Sequence, residues 1–307
     1  MLDAWGDHPV VAQTLAEASD ALHEDLAKLI HEGPKEALAL TTNTQPVMLV
    51  AAVAAYRVWM NEVGVAPKVV GGHSLGEYSA LVAAGVLTLT QAAPLVRFRA
   101  QAMQEAVPVG VGAMAAILGM DAAQVIAGCQ EVTAQLRAQG AAGQLEVVEA
   151  VNFNDPAQTV IAGSKAAVEQ ACVLLKANGA KRALPLPVSA PFHSSLMKPA
   201  ADTLRAKLAS THFEVPRIPL VNNIDVAFEA DPARIRDALY RQAFGPVRWV
   251  ECVKAIQARS VLTVIECGPG KVLAGLVKRI DPAMTGLPLF DPQTMVEVKS
   301  HLTGVAA

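Results

Sequence analysis

The sequence predicts an α/β protein in which a small β–α–β–β–α–β unit interrupts a larger domain. Three observations carry that expectation. A short apolar run, Lys68-Val69-Val70-Gly71-Gly72, is bounded by Pro67 and by glycines and leads into a helical pattern, giving the order strand, turn, helix. Between about Gly110 and Leu186 short alternating runs and two helical stretches follow one another in the order of a ferredoxin-like unit. Strand and helix signals then resume beyond it. The 307 residues suffice for one large or two moderate domains, at about 100 to 200 residues each. The larger domain is placed at 1–109 and 188–307, the smaller at 110–187.

Taken in order, apolar positions at helical spacing predict one helix over Pro9 to Leu29 and, after a polar Thr/Asn turn, another over Gln45 to Val63. The strand at Lys68 to Gly72 feeds a helix from Leu75 to Ala84 that stops at Gly85. Thr90 is the expected cap of the next helix, which carries Leu95 to Glu105 and stops near Pro108. In the small unit, Ala113 to Leu118 is a strand, a helix starts at Ala122, and strands fall near Leu145 to Val151 and Thr159 to Ala162. A helix over Lys165 to Ala177 and a strand near Arg182 to Leu186 complete it. Afterwards come strands at Pro219-Leu220-Val221 and Val261 to Glu266, helices near Ile235 to Gln242 and Val247 to Ala258, and a last helix from Lys271.

Composition narrows the function classes. A net charge of −3 supplies no general basic field, so nucleic-acid binding has no electrostatic support. The four cysteines, Cys129, Cys172, Cys252 and Cys267, are widely spaced without a C-x-x-C pair, which argues against a zinc site or a disulfide framework and fits a reducing, cytoplasmic setting. The N-terminus has no leader pattern, and no apolar run approaches the roughly 20 residues that span a bilayer. The chain is expected to be soluble, away from membranes and without metal.

Gly72-His73-Ser74-Leu75-Gly76 is a G-x-S-x-G turn between a strand and a helix. Such a turn presents a serine hydroxyl at the strand end, which makes Ser74 the candidate nucleophile. The Leu75 N–H, at the helix start, is the candidate donor to an oxyanion. The plain alternative is a glycine-rich turn with an incidental serine. A serine needs a base to take its proton, and the chain offers seven histidines. His8, His23 and His31 lie in the N-terminal helical region, His212 precedes an extended stretch, His301 is in the tail, and His73 should point away from its neighbour Ser74. His193 lies in a loop between the two domains, where functional residues concentrate, although a structural loop histidine fits the same pattern. Arg99 shares a helix face with Leu95, Val96, Ala102 and Met103, whereas Arg97 should be more exposed. An arginine in an apolar stripe is either paired internally or receives a ligand carboxylate.

Together these segments resemble the malonyl-CoA:acyl-carrier-protein transacylase family. The resemblance rests on GHSLGEYSALVAAGV, the Arg99-to-Met103 segment leading into QEAVP, VNFNDPAQTVIAG, ALPLPVSAPFHSSLMKPA, VNNIDV and ECGPGKVLAGLVKRI, and runs from near Met1 to about Ile280. It implies an α/β-hydrolase-like large domain with a ferredoxin-like insertion. It also implies a Ser74–His193 dyad, with the Gln242 backbone carbonyl orienting the imidazole independently of the Gln242 side chain. Arg99 would clamp the malonyl carboxylate, with Gln45, Met103 and Asn154 at pocket positions. Phe192 resembles the bulky choice of malonyl-selective members. The implied reaction is a ping-pong transfer from malonyl-CoA to the phosphopantetheine thiol of acyl carrier protein, supplying fatty acid synthesis, by a monomer without a permanently bound cofactor.

Family members begin with a strand and a Phe-Pro-Gly-Gln-Gly-Ser-Gln loop that supplies a second oxyanion donor. No segment of this sequence matches it, so the expectation is a first strand and half an oxyanion hole missing at the N-terminus. Two other functions stay open on the residues. An α/β-hydrolase esterase would need a late histidine, for which only His301 is available, and Arg99 counts against it. A non-catalytic carrier-binding module would fit the missing loop. For docking an acidic carrier, Lys198, Lys271 and Lys278 are candidates, and solvated-face readings of each are equally good.

Overall fold

In a computed structural model, residues 1–138, 146–188 and 190–304 are described. After a 3-10 turn at Asp3–Trp5, helices α1 (Pro9–Leu22), α2 (Leu26–Glu32), α3 (Lys35–Ala39) and α4 (Thr41–Glu62) lead to strand β1 (Val70–Gly71). Helices α5 (Gly76–Ala83) and α6 (Leu89–Glu105) follow. The next segment runs β2 (Gly112–Leu118), α7 (Ala122–Ala138), β3 (Val148–Asp155), β4 (Gln158–Ser164), α8 (Lys165–Ala177) and β5 (Arg182–Pro185). The chain continues through α9 (Lys198–Ser210), β6 (Leu220–Val221), α10 (Pro232–Gln242), α11 (Trp249–Gln257), β7 (Thr263–Cys267), α12 (Val272–Ile280), β8 (Thr285–Leu289) and α13 (Pro292–Thr303). The expected beginning of one strand at Leu145 lies outside the described residues.

Several boundaries differ from the sequence expectation for identifiable reasons. The stretch expected as one helix from Pro9 to Leu29 is two, because His23 takes a left-handed conformation that ends α1 and the Asp25 side chain accepts the Lys28 N–H to start α2. The cap of α6 is Thr88 rather than Thr90. Thr88 and Gln91 exchange side-chain and backbone hydrogen bonds in a capping box, leaving Thr90 inside the first turn. Helix α9, strand β8 and helix α13 were not expected at all.

Strand pairing sets the geometry around Ser74. β1 pairs with β6 in parallel, Val70 opposite Leu220 and Gly71 opposite Val221. Parallel strands end on the same side, so the residues that leave them, Gly72 to Ser74 and Asn222-Asn223, meet there. A second parallel pair joins β7 to β8. The third sheet has the order β3-β4-β2-β5, with antiparallel neighbours throughout. It has its own core, in which Ile117, Val125, Val132, Ile161, Val168 and Leu175 from two helices and two strands are buried together. The largest core gathers apolar faces of α1, α4, α5, α6, α9, α10 and α13.

Polar links tie the antiparallel sheet to the remaining chain. Phe153 N–H donates to the Val247 carbonyl at 3.0 Å, and Val247 N–H donates to the Val151 carbonyl at 2.8 Å. Arg279 on α12 pairs with buried Asp155 on β3 at 2.8 Å. The Ser195 N–H donates to the Glu149 carboxylate at 2.6 Å. Edge strand β3 is thereby bonded to the loop before α11, to α12 and to the end of the loop carrying His193.

Candidate active site

Ser74 occupies the turn between β1 and α5 with φ +52°, a conformation disfavoured for a residue with a side chain. Gly72 makes the turn possible. A Cβ there would stand 2.0 Å from the backbone carbon and oxygen of Gly76, closer than any side-chain atom approaches backbone. Asn223, at the end of β6, fixes both sides of the turn. Its Oδ1 accepts the Ser74 N–H at 2.7 Å and its Nδ2 donates to the Gly72 carbonyl at 2.8 Å. The Leu75 amide, at the cap position of α5, donates to no acceptor among the described residues.

His193, also at positive φ (+65°), lies in the loop after β5 with its Nε2 2.7 Å from Ser74 Oγ. Its Nδ1 is 2.8 Å from the backbone carbonyl of Gln242, the last residue of α10. A carbonyl only accepts, so Nδ1 carries the ring proton and Nε2 is free to accept the serine proton; the network assigns the tautomer. Burial, with the Arg99 charge as second cause, pushes the imidazole down to about 3. The ring is therefore neutral and ready to act as a base.

Arg99, on α6, is 1% exposed. Its Nη1 donates to Gln45 Oε1 on α4 at 2.6 Å, and its Nη2 donates to Ser74 Oγ and to Gln242 Oε1, both at 3.2 Å. The guanidinium also stands over the Tyr78 ring, 5.5 Å from its centroid. All of these partners are neutral, and Arg99 Nε has none. A buried guanidinium without a carboxylate partner in direct contact is an open seat for an anion. Of the two sequence alternatives for Arg99, a direct internal ion pair is not what is seen. Arg97 is less exposed than expected: its side chain is 13% exposed and pairs with Glu24 and Asn43.

Of the other sequence candidates, some pack near this centre and others lie on the surface. His73 points away from Ser74, as its position suggested. Its Nε2 is 2.8 Å from Asn154 Oδ1 and its ring meets Trp249 edge-on at 5.7 Å. Met103 and Phe192 pack in one apolar cluster with Phe244 beside the His193 loop. A cleft of about 600 Å³ reaches His193 from the side of α7 and β3, past Val147, Val151, Phe153 and Phe244. His301 is on the surface, 3.3 Å from Thr263 Oγ1, and takes no part in the site. Lys198 is held by Asp202 and stands over Tyr240 and Phe244, while Lys271 and Lys278 are exposed.

Beyond its backbone carbonyl, Gln242 also contributes its side chain, which is fully buried and central. Besides accepting from Arg99, its Nε2 donates to the Ser74 carbonyl and to Glu77 Oε2, both at 3.0 Å. Glu77 on α5 and Asn223 were missed as site residues. Glu77 Oε2 also accepts the Asn223 N–H at 2.9 Å, and burial lifts its carboxyl to about 7 against the pull of those two donors. The signal available for Asn223 was its place directly after an expected strand, but nothing in the spacing pointed to Glu77.

A serine bonded to a neutral, buried imidazole, with a free helix-start amide alongside, equips an α/β protein for covalent acyl chemistry. The chain belongs to the acyl transferase domain family, whose model matches residues 3–281. It is 50% identical to the malonyl CoA-acyl carrier protein transacylase of Escherichia coli (strain K12), over 96% of this chain and 92% of the relative. The transacylase of the same description from Bacillus subtilis (strain 168) is 43% identical over 94% of this chain and 87% of the relative. Among solved structures, an acyl-carrier-protein S-malonyltransferase from Burkholderia pseudomallei 1710b superposes with a TM-score of 0.92 at 62% identity, covering 97% of this chain and 94% of that one. A malonyl-transacylase in complex with its type II PKS acyl-carrier protein gives 0.90 at 49% identity, over 96% and 92%.

Proposed function

We propose that the chain is a malonyl-CoA:acyl-carrier-protein transacylase that works through a malonyl ester of Ser74. The observation that carries this reading is the buried Arg99 guanidinium, which donates to Ser74 Oγ at 3.2 Å and has only neutral hydrogen-bond partners. An acyl group that is esterified to Ser74 and ends in a carboxylate brings that guanidinium the anion it lacks. Acyl groups without the charge leave it unpaired, which is the basis of selectivity. Phe192, in the cluster beside the base, favours malonyl over a branched analogue.

In the first half-reaction His193 Nε2 takes the Ser74 proton while Oγ attacks the thioester carbon. The negative charge on the carbonyl oxygen is met by the Leu75 N–H. The C–S bond then breaks and the imidazolium returns the proton to the coenzyme A thiolate. In the second half, the phosphopantetheine thiol of acyl carrier protein gives its proton to His193 and attacks the ester, and Ser74 leaves with the proton restored. The Gln242 carbonyl holds the ring through Nδ1–H in both halves. The cleft beside His193 provides a path for the thiol arm.

This reading takes residues 110–187 as a ferredoxin-like small domain set into an α/β-hydrolase-like large one formed by 1–109 and 188–307. The β–α–β–β–α–β order and the separate core support the division. We take the chain to act as a monomer. Four cysteines without disulfides suit the cytoplasm, and among the described residues no helix is long and apolar enough to cross a membrane.

Incubation with radiolabelled malonyl-CoA tests the covalent intermediate. Stable label on the parent chain that is absent from Ser74→Ala is expected. Rapid release of the label into water would favour a hydrolase instead, and an unlabelled parent would leave only carrier binding.

A further inference from the structure

The two halves of the site are joined beneath Ser74 by one carboxylate. Glu77 is 1% exposed, and its Oε2 accepts the Gln242 Nε2–H at 3.0 Å and the Asn223 N–H at 2.9 Å. Asn223 bonds the turn at the Ser74 N–H and at the Gly72 carbonyl. Gln242 supplies the carbonyl that fixes His193 and the amide oxygen that receives Arg99. Nucleophile, base and guanidinium are therefore each one residue removed from the same oxygen.

We propose that Glu77 is the positioning residue of this site, setting the Ser74 turn through Asn223 and setting His193 and Arg99 through Gln242. The geometry gives the reason. A primary amide can turn end for end, and with its oxygen toward Arg99 the Gln242 Nε2 must find acceptors on the opposite side. The Ser74 carbonyl is one such acceptor and Glu77 is the other. Without Glu77, buried donors on both Gln242 and Asn223 lose an acceptor they cannot replace with water. The two residues then relax away from Ser74. Glu77 forms no direct ion pair with Arg99. The Gln242 amide bridges the two, so the direct seat for an anion at Arg99 stays open.

The inference rests on the acyl-serine reading but is tested by a reaction that needs no malonyl group. The rate constant for phosphonylation of Ser74 by a small fluorophosphonate reads how well the serine and His193 are aligned. Mass spectrometry of the end point counts the folded sites, so the rate constant refers to folded protein alone. Glu77→Met fills the space without an acceptor and is expected to slow phosphonylation roughly 10- to 100-fold, the scale of a displacement of about 1 Å. Glu77→Gln keeps an oxygen in place and is expected to restore the rate to within a few-fold of the parent. In a Gln242→Met background, which retains the backbone carbonyl, Glu77→Met is expected to add much less than it costs alone, because the two act in series.

A Glu77→Met rate equal to the parent overturns the inference, as does a double variant whose losses simply multiply. If Glu77→Met does not fold, Gln242→Met alone decides, since an undiminished rate there removes the path from Glu77 to His193. Failure of malonyl labelling in the parent, with these fluorophosphonate results intact, would instead bear on the substrate reading.

Discussion

At the level of single residues, the site works by contrast between what is paired and what is left open. His193 is held neutral by burial, Asn223 and Gln242 bond the Gly72 and Ser74 backbone, and the Leu75 amide and the Arg99 guanidinium are left open beside Ser74. Arg99→Ala is therefore expected to reduce discrimination between malonyl and acetyl groups roughly 10²- to 10³-fold, the range for truncating one partner of a buried charge pair. Acetyl transfer should survive, and competition kinetics with unchanged selectivity would refute the clamp. Two buried groups also give opposite pH responses. His193 is near 3 in the folded chain against an ordinary 6.5, so the unfolded chain takes up the proton first and stability falls as pH drops below about 6.5. Glu77 is near 7 against 4.5, so its contribution is full below about 4.5 and is lost as pH rises through about 7. Glu77→Gln removes the second effect only. Its melting temperature should decline less with rising pH between about 5 and 8 than that of the parent, and parallel curves would contradict the elevated carboxyl.

Elements place these residues through a few tight backbone positions. The β1-to-α5 turn depends on Gly72, since any Cβ would meet the Gly76 backbone at 2.0 Å. Gly72→Ala should destabilise the chain by about 3 kcal/mol and abolish Ser74 labelling, and a denaturant midpoint equal to the parent's would show that the turn is looser than described. Local signals of this kind are what made the centre legible in the sequence. A strand, a glycine turn and a helix in immediate succession announce Ser74, and a charged residue on an apolar helical face announces Arg99. The loop position of His193 gave a weaker signal, strengthened by the family resemblance. Glu77, Asn223 and the Gln242 side chain gave no comparable signal. Polar residues on helices are ordinary in sequence, and their importance arises only when α5, α10 and the end of β6 meet. The same holds for β8, whose Gly286 and Pro288 are poor strand residues and which is defined by pairing with β7. Helix α13 did carry a local sign, the Asp291 and Thr294 capping box with Pro292 at its start.

Across the whole molecule, the antiparallel sheet and the remaining chain enclose His193 from different sides. β3 is bonded to Val247, and its Asp155 to Arg279, so the cleft that leads to His193 has one wall from each part. The order of elements in the 110–187 segment could be read in advance because each strand and helix there has its own periodicity. The way that segment is fastened to the loop before α11 could not, because it depends on one parallel bridge between residues far apart in sequence. A carrier-borne thiol must reach His193 after coenzyme A has left. The most direct measurement isolates the malonyl-labelled chain, freed of malonyl-CoA, and mixes it with acyl carrier protein bearing phosphopantetheine while mass spectrometry follows both proteins. Malonyl is expected to disappear from Ser74 and to appear on the carrier thiol in equal amount, faster than it is lost to water. Loss of the Ser74 ester at the same rate with and without the carrier, with none of it reaching the thiol, would contradict it.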